Sequence, residues 1–281
     1  MIVVTGATGN IGRTLVPLLA EAGEDVVAVS RRPRPEGLPA GVRHARADVG
    51  ESAGMRPVLE RADAFFILLG GELSGRGERP GALIDAATDA GVKRIVLLSS
   101  QINSTRPQAF SHARLREYEA AVRASGAGFT ILRPGGFASN ALAWSESVRT
   151  RRTVFAPFGD VALPVVDPAD IAAAAAAALR GDGHAGRTYD LTGPEAVSPR
   201  RQAAVISQAL GEDVAFVELS REQAHAHMAE FMPEEVIGGT LDILGVPLRA
   251  EQAVSPDMES VLGRPARSFG AWVARNLAAF R

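Results

Sequence analysis

The first half of the chain alternates between short apolar runs and segments whose apolar residues recur at helical spacing. The apolar runs are continuous rather than alternating, which indicates strands of a parallel sheet that is covered by helices on both faces. Strand and helix patterns that alternate in this way predict an α/β fold with a doubly wound parallel sheet. The predicted strands are Ile2–Thr5, Val26–Val29, Val42–Ala45, Ala64–Leu69, Arg94–Leu98 and Phe129–Leu132.

After Pro134 the apolar pattern loosens and helix-start signals become more frequent. We therefore expect a main α/β domain over residues 1–135 and a small, mostly helical lobe over residues 136–281 that partly completes the sheet. Helix N-termini are predicted from capping residues, and further strands from short β-branched runs. These helix starts and strands lie at Asp167-Pro168, Ser198-Pro199, Ser220–Gln223, Thr188–Leu191 and Val214–Val217.

Composition and charge serve mainly to exclude classes of partner and binding site. A formal net charge of -2 without a long basic run argues against nucleic acid as a partner. The chain has no cysteine, and its five histidines lack zinc-ligand spacing, so we expect no metal site. The Ala172–Ala178 run is too short to cross a bilayer, and the first strand has no charged leader before it. We expect a cytoplasmic protein without a membrane partner.

Three glycines connect the first predicted strand to the first predicted helix, with the spacing G-x-x-G-x-x-G. Gly6 permits a tight turn, Gly9 leaves the backbone bare for a close approach, and Gly12 lets the helix pack closely on the sheet. The helix N-terminus then offers N–H groups and a partial positive charge to a pyrophosphate. We interpret this segment as a Rossmann dinucleotide-binding turn, and a tight turn without a ligand is the alternative. Its contact residues are Gly6, Thr8, Gly9, Asn10, Ile11 and Gly12.

The second strand ends in Ser30, Arg31 and Arg32, where an NAD-binding protein normally carries a carboxylate for the ribose 2′-hydroxyl. A guanidinium there binds a 2′-phosphate through charge-assisted hydrogen bonds. We therefore expect NADP(H) to be preferred over NAD(H), with Arg31 as the first contact and Arg32 as the second. A solvated basic loop before Pro33 is the alternative.

Other candidate contacts follow the later strands, at the edge of the sheet where ligands of such folds bind. Asp48 and Val49 suit the adenine, although Asp48 suits a loop or helix cap equally well. Glycines after the fourth strand allow close approach of the second half of the cofactor, and hydroxyls follow the fifth. These residues are Leu69, Gly70, Gly71, Ser99 and Ser100.

Several of these motifs resemble the NmrA-like branch of the atypical short-chain dehydrogenases/reductases. The resemblance rests on Gly6–Gly12, Ser99–Gln101, Thr130–Gly135 and Tyr189–Pro194, and within the branch it is strongest to quinone and azo reductase-like proteins. It implies a small C-terminal substrate lobe and places Pro134, Gly135 and Phe137 near the nicotinamide. The family includes reductases as well as regulators that sense dinucleotide ratios without catalysis.

The Tyr-x-x-x-Lys pair of short-chain reductases is absent, because Tyr118 is followed four residues later by Val122. His112 and Arg116 have the same spacing, so His112 is a candidate proton donor and Arg116 a candidate ribose contact. Together with Ser100 they form the candidate catalytic set. The alternative interpretation is a surface histidine near a helix start and a solvated arginine.

Hydride chemistry belongs mainly to the cofactor, so the missing pair does not exclude reduction. We expect an NADP(H)-dependent oxidoreductase that acts on a small carbonyl, quinone or related unsaturated compound. A non-catalytic dinucleotide sensor and a non-redox enzyme such as an isomerase are the alternatives. An apolar or aromatic substrate would suit the aromatic cluster after the nicotinamide-side motif, and a homodimer is left open. That cluster, which equally suits core packing, comprises Phe137, Trp144, Phe155 and Phe158.

Overall fold

The computed structural model describes residues 1–33, 36–70 and 77–281. The predicted strands are all present, and one further strand, β7, lies where the sequence pattern had loosened. The strands are β1 (Ile2–Val4), β2 (Val26–Ser30), β3 (Arg43–Arg46), β4 (Ala64–Ile67), β5 (Arg94–Leu98), β6 (Gly128–Pro134), β7 (Thr153–Pro157), β8 (Arg187–Leu191) and β9 (Ala215–Leu219).

Helices separate most of these strands, as expected for a doubly wound fold. They are α1 (Gly12–Glu21), α2 (Ser52–Leu59), α3 (Pro80–Asp89), α4 (Ile102–Thr105), α5 (Ala113–Ala124), α6 (Ser145–Arg151), α7 (Pro168–Arg180), α8 (Pro199–Leu210), α9 (Arg221–Met228), α10 (Glu234–Gly245), α11 (Arg249–Gln252), α12 (Asp257–Leu262) and α13 (Phe269–Asn276). Short 3₁₀ segments at Phe110–His112 and Ala138–Trp144 were not predicted.

The main sheet is parallel and has the strand order β3-β2-β1-β4-β5-β6-β8 among the described residues. The chain moves outward in one direction from β1 to β3 and then resumes on the other side of β1 with β4. Val4 in β1 consequently pairs with Ala28 on one side and Phe66 on the other. The carboxyl ends of β1 and β4 therefore flank the switch point, where ligands of open α/β sheets bind.

Both faces of the sheet are buried, which explains the continuous apolar runs. Val3 and Phe65 contribute to a core with residues of α2, α3 and α5. Val4 and Phe66 point the other way, into a core with residues of α1 and α7. Because neighbouring strand residues enter opposite cores, each central strand must be apolar at every position. The predicted α/β doubly wound sheet is confirmed.

The second half of the chain contributes to two sheets. β8 extends the main sheet beside β6, whereas β7 and β9 form a separate parallel pair. The predicted helix caps are present: Asp167 accepts a hydrogen bond from the Ala169 amide, Ser198 accepts one from the Arg201 amide, and Ser220 forms the capping box. The division at residue 135 stays a prediction.

The C-terminal segment is held against α7 by a fully buried carboxylate. Asp170 has no exposed surface, and its oxygens accept hydrogen bonds from Arg264 Nη2 and the Arg267 amide, both at 2.6 Å. The Arg267 side chain contributes a further ion pair. A buried carboxylate is stable only when its oxygens are paired in this way. No described helix is both long and apolar enough to span a membrane.

We expect Asp170→Asn to lower the free energy of unfolding by about 3 kcal/mol, because it leaves two arginines facing a neutral buried amide. Urea unfolding followed by circular dichroism measures this change. Glu24→Gln is the matched control, since it removes the exposed Arg180–Glu24 pair from the other end of the same helix. That variant should lose less than about 1 kcal/mol. Equal losses in the two variants would contradict the role assigned to Asp170.

Candidate functional site

The turn between β1 and α1 has a backbone that only glycine fits at two positions. Gly6 lies in the left-handed region at φ +63°, and a Cβ there would come 2.8 Å from Leu68 Cδ2. A Cβ on Gly12 would come 2.2 Å from the Gly6 carbonyl oxygen. Such contacts are far inside van der Waals distance. Gly12 is thus required by the turn itself, and its part in close packing of the helix on the sheet stays a prediction.

The N-terminus of α1 presents a positive dipole end to the carboxyl edge of the sheet. Ile11 precedes the helix without a side-chain cap, and the first turn has no acidic residue. Ile11 is buried in the core, so only its backbone faces the turn. An uncapped N-terminus with no acidic residue in its first turn is suited to an anion.

Asn10 joins this turn to the segment after β6. Its Nδ2 donates a hydrogen bond of 2.6 Å to Ser139 Oγ, in the 3₁₀ segment that follows Phe137. Its Oδ1 lies 3.4 Å from Arg13 Nη2. The predicted phosphate-side and nicotinamide-side segments are therefore in direct contact. Thr8 is exposed at the same turn.

The end of β2 is fixed by hydrogen bonds to β3. Ser30 Oγ lies 2.9 Å from His44 Nε2 and donates to the Arg32 carbonyl at 3.1 Å. Arg46 Nε donates to the Arg31 carbonyl at 3.0 Å. Arg31 and Arg32 are both exposed. The end of β2 thus presents Arg31 and Arg32, and Arg46 of β3 lies beside them. Sequence reasoning missed Arg46, because its position depends on the pairing of β2 with β3.

A cavity of about 160 Å³ adjoins the glycine turn on this side. Ala7, Thr8 and Arg13 line one wall, and the chain from Glu36 to Pro39 lines another. The cavity therefore lies between the predicted pyrophosphate turn and the segment that follows the arginines.

The other candidate contacts lie after the neighbouring strands. Asp48 Oδ1 accepts a hydrogen bond of 2.9 Å from the Gly50 amide, so Asp48 closes a turn, and Val49 is buried. Leu69 and Gly70 follow β4 and are half-buried. Gly71 lies outside the described residues. Asp48 thus closes a loop turn and does not cap α2, whose N-cap is Glu51, and its contact with the adenine stays a prediction.

A buried polar network underlies the carboxyl ends of β5 and β6. Ser99 Oγ donates to Glu119 Oε1 at 2.6 Å, and Asn103 Nδ2 donates to both. Arg133 on β6 forms a two-pronged ion pair with Glu119, with contacts of 2.9 and 2.5 Å. Glu119 is only 5% exposed. The network ties the predicted nicotinamide-side strand ends to α5.

Glu119 is ionised in this network. Burial works against its charge as the largest single effect, but the hydrogen bonds from Arg133, Ser99 and Asn103 together outweigh it and lower the pKa of Glu119. Sequence reasoning missed this pair. The available signal was Arg133, a charged residue directly after the predicted buried strand Phe129–Leu132, where burial would require an opposite charge nearby.

Gln101 and Gly135 pack together directly beyond these strand ends. The Gln101 amide donates to the Pro134 carbonyl at 3.0 Å, and a Cβ on Gly135 would come 3.2 Å from Gln101 Oε1. Phe137 then pairs with Val166 in an isolated bridge. Ser100 lies at the same edge, where its Oγ accepts from the Ile102 amide at 3.3 Å. The structure brings Ser99, Ser100, Pro134 and Gly135 together.

His112 and Arg116 are both half-buried at the start of α5. His112 Nδ1 lies 2.9 Å from Ser111 Oγ, and Arg116 Nη1 donates to the Ala109 carbonyl at 2.9 Å. Burial, and then the charge of Arg116, lower the pKa of His112. Tyr118 is buried in the core, and burial raises its pKa, so it does not replace a catalytic tyrosine.

The aromatic cluster is used for packing. Phe137 packs on the core beneath α1 and α7, and Trp144 on the core beside β7. The Phe155 ring lies under the Arg151 guanidinium, 4.7 Å from the ring centroid. Phe158 abuts Gly245, where a Cβ would come 2.6 Å from its ring. These contacts favour packing over a substrate slot.

This fold and site define a class of dinucleotide-binding α/β proteins, and comparison with known proteins identifies the family. Residues 6–182 match the family model described as NAD(P)H-binding. The chain belongs to this NAD(P)H-binding family and to its NmrA-like, atypical short-chain dehydrogenase/reductase branch, which confirms the resemblance.

Two curated relatives cover the whole chain. A (4-alkanoyl-5-oxo-2,5-dihydrofuran-3-yl)methyl phosphate reductase of Streptomyces griseus is 37% identical over 100% of this chain and 99% of its own length. An NAD(P)H azoreductase of Xenophilus azovorans is 33% identical over 100% and 99%. A structure of an Escherichia coli NADPH-dependent quinone oxidoreductase complexed with NADPH is 26% identical, with a TM-score of 0.83 and 99% coverage of both chains. The protein is an NAD(P)H-dependent oxidoreductase.

We expect Gly9→Val to abolish cofactor binding while the fold is retained. A Cβ on Gly9 would come 3.2 Å from the Gly6 oxygen, which the turn accommodates more easily than the contact at Gly12. The γ-carbons would occupy the space over the helix N-terminus. Calorimetric titration with NADPH measures the loss, and thermal unfolding checks the fold. Gly54→Val is the control, since it adds a side chain to open space on α2. Unchanged NADPH affinity in Gly9→Val would refute the prediction.

Proposed function

We propose that this oxidoreductase prefers NADPH and transfers a hydride to a small quinone, conjugated carbonyl or related unsaturated acceptor. The observation that carries the cofactor preference is the end of β2, where Arg31 and Arg32 occupy the position of the ribose carboxylate of NAD-binding proteins. Arg46 adds a third guanidinium at this corner. Glu36 also lines the adjacent cavity. This carboxylate, however, follows both arginines in the sequence and lies beyond the end of β2.

The proposed cofactor contacts extend along the carboxyl edge of the sheet. The backbone from Gly6 to Gly12 binds the pyrophosphate, and Asp48 and Val49 flank the adenine. Leu69, Gly70, Ser99, Pro134, Gly135 and Phe137 surround the nicotinamide half. When bound there, the cofactor supplies the hydride, and the protein orients the acceptor and excludes water.

The acceptor class is supported by the chemistry in the relatives' names. A 4-alkanoyl-5-oxo-2,5-dihydrofuran has a ring double bond conjugated to carbonyl groups, as a quinone has, and an azo group is likewise an electron-poor double bond. Hydride addition to such acceptors produces a stabilised anion, which needs only a weak acid to complete the reduction. This explains why a reductase of this kind does not require the Tyr-x-x-x-Lys pair.

The alternative function, a dinucleotide sensor, was favoured by the missing Tyr-x-x-x-Lys pair. A sensor would bind NADPH without reducing an acceptor, so turnover separates the two functions. NADPH oxidation should be measured with a panel of benzoquinones, unsaturated lactones, azo compounds and aldehydes. Turnover of the conjugated acceptors, with little turnover of the aldehydes, supports the proposal. Tight NADPH binding without turnover of any acceptor would instead support the sensor.

We expect Arg31→Ala to weaken NADPH binding by about 10- to 100-fold, the loss of one charge-assisted hydrogen bond. NADH binding should change by less than about threefold, since it has no 2′-phosphate. Calorimetry at a single salt concentration measures both. Arg43→Ala is the control, because Arg43 begins β3 and therefore lies at the opposite edge of the sheet. Parallel losses for NADPH and NADH in Arg31→Ala would exclude 2′-phosphate recognition by this residue.

We expect His112→Gln to retain kcat within about threefold between pH 6.5 and 8.5, whereas loss of a general acid costs about 100-fold or more. The lowered pKa of His112 leaves its ring neutral over this range, so water is the proposed proton source. Steady-state kinetics with benzoquinone tests this, with Ser100→Ala measured alongside for the second candidate. A loss above 100-fold in His112→Gln would make this residue the proton donor.

A further inference from the structure

A second cavity, of about 220 Å³, lies where the first turns of α1 and α7 meet α13. α1 contributes Arg13 and Thr14, the start of α7 contributes Asp167, and α13 contributes Trp272 and Arg275. Pockets that hold a drug-sized ligand or a cofactor usually exceed about 300 Å³. The cavity therefore has room for a small ion or for one group of a larger molecule. We call it the α1–α13 cavity.

The charged side chains of the α1–α13 cavity give it an excess of positive charge. Among the described residues that line it, two are arginines, Arg13 and Arg275, and one is a carboxylate, Asp167. Asp167 is only 2% exposed, and its oxygens accept hydrogen bonds from the Ala169 amide, at 2.9 Å, and from Arg275. Arg13 and Arg275 remain exposed, the latter with 44% of its side chain. The cavity therefore offers an anion two exposed guanidinium groups, whereas its carboxylate is buried and already paired.

Trp272 adds a donor that the protein itself does not use. Its side chain is 3% exposed, and its ring stacks on Phe269, with centroids 5.6 Å apart, and meets Phe280 edge-on. The indole N–H forms no hydrogen bond with any described residue, yet the nitrogen is not enclosed by protein atoms. A buried tryptophan usually pairs this group. The exposed remainder of Trp272 therefore includes the N–H, and the α1–α13 cavity that Trp272 lines is the space open to it.

Asn10 and Thr14 complete the polar wall on the α1 side of the cavity. Asn10 Oδ1 accepts from Arg13 Nη2 at 3.4 Å, and Asn10 Nδ2 donates to Ser139 Oγ at 2.6 Å, so Asn10 is held between the two. The remaining N–H groups of Arg13 and the Thr14 hydroxyl donate to no described residue. Donors from α1 and from α13 are therefore available on two sides of the same cavity.

Donors on different sides of a cavity suit a tetrahedral anion better than a planar one. A phosphate group offers oxygens in several directions, and guanidinium groups bind it through charge-assisted hydrogen bonds. A carboxylate has only two oxygens, both in one plane, and so reaches fewer of these donors. The excess of positive charge, the unused indole N–H and the volume of the cavity therefore favour a single phosphate group.

We propose that the α1–α13 cavity is a second anion site, which binds one phosphate group separately from the pyrophosphate turn. The group belongs to free phosphate or to a small phosphate monoester, since both present the same kind of oxygens. Arg13 and Arg275 bind these oxygens, and the Trp272 N–H and the Thr14 hydroxyl donate to them. The site depends neither on the identity of the acceptor nor on the preference for NADPH, so it goes beyond the proposed function.

The test uses Trp144→Phe protein saturated with NADP⁺. This substitution leaves Trp272 as the remaining one of the two tryptophans, and NADP⁺ fills the cofactor turn. Inorganic phosphate, titrated at constant ionic strength, should change the Trp272 fluorescence in a saturable manner. Arg13→Gln should weaken phosphate binding about 5- to 10-fold, through loss of one charge-assisted hydrogen bond. Arg201→Gln is the control, because Arg201 is an exposed arginine in the first turn of α8, and it should change binding by less than about twofold.

Trp272→Phe tests the indole separately, because it keeps an aromatic ring and removes the N–H. Calorimetric titration of this variant, again saturated with NADP⁺, should show phosphate binding weakened by about threefold or more. Thermal unfolding checks that the variant is folded.

The site is overturned if the NADP⁺-saturated protein shows no saturable phosphate binding. Binding that occurs only without NADP⁺ assigns phosphate to the cofactor turn and overturns it as well. Equal losses in Arg13→Gln and Arg201→Gln, or unchanged affinity in folded Trp272→Phe, have the same consequence. Methyl phosphate and phenyl phosphate distinguish the sources: tighter binding than inorganic phosphate assigns the site to a monoester, and weaker binding assigns it to the free ion. Either result supports the site, whether or not the protein reduces the proposed acceptors.

Discussion

The contact between Gly12 and the Gly6 carbonyl is the constraint on which the site depends. It lets the chain reverse from β1 into α1 within a few residues and places the first amides of the helix at the carboxyl edge of the sheet. The helix cannot be displaced to admit a side chain, because Ile11 and Leu15 are buried in the core below. A packed core on one side therefore holds a bare backbone on the other. In the proposed function that backbone, with its free amides, binds a phosphate pair.

Paired buried carboxylates determine where distant parts of the chain meet. Glu119 binds Arg133 beneath the strand ends, Asp170 binds Arg264 and Arg267 beside α7, and Glu251 binds Arg106 at the C-terminal end of α10. Each pairing joins segments from different parts of the sequence and is close to fully hydrogen-bonded. Such pairs add little net stability over apolar packing. A wrong pairing, however, leaves a buried charge without a partner, so these pairs strongly favour one arrangement of the chain.

This division of roles suits a reductase whose cofactor carries out the hydride chemistry. In the proposed function the glycine turn and the arginines after β2 recognise a constant ligand, and both lie at the carboxyl edge of the sheet. Later segments of the chain return to that edge and are attached through Gln101 and Glu251. A constant cofactor side beside a more variable remainder is consistent with relatives that have diverse substrate names.

The sequence by itself determined the doubly wound sheet, the cofactor turn and the main helix starts. Those features depend on local signals: continuous apolar runs, glycines at fixed spacing, and capping residues such as Asp167 and Ser220. It also indicated the position of Arg31 relative to the turn, because the length of one strand–helix–strand unit is nearly constant.

Only the tertiary structure decided the rest. The pairing of β7 with β9 and the return of Glu251 to Arg106 join residues far apart in sequence, and the Glu119–Arg133 pair joins the consecutive elements α5 and β6. No local pattern encodes such a contact, because a buried charge has the same neighbours in sequence whichever partner it finds. Asp48 and the aromatic cluster show the same limit: their residue types suit both a ligand and a structural role, and only the structure shows the turn that Asp48 closes and the surfaces on which the aromatic rings pack.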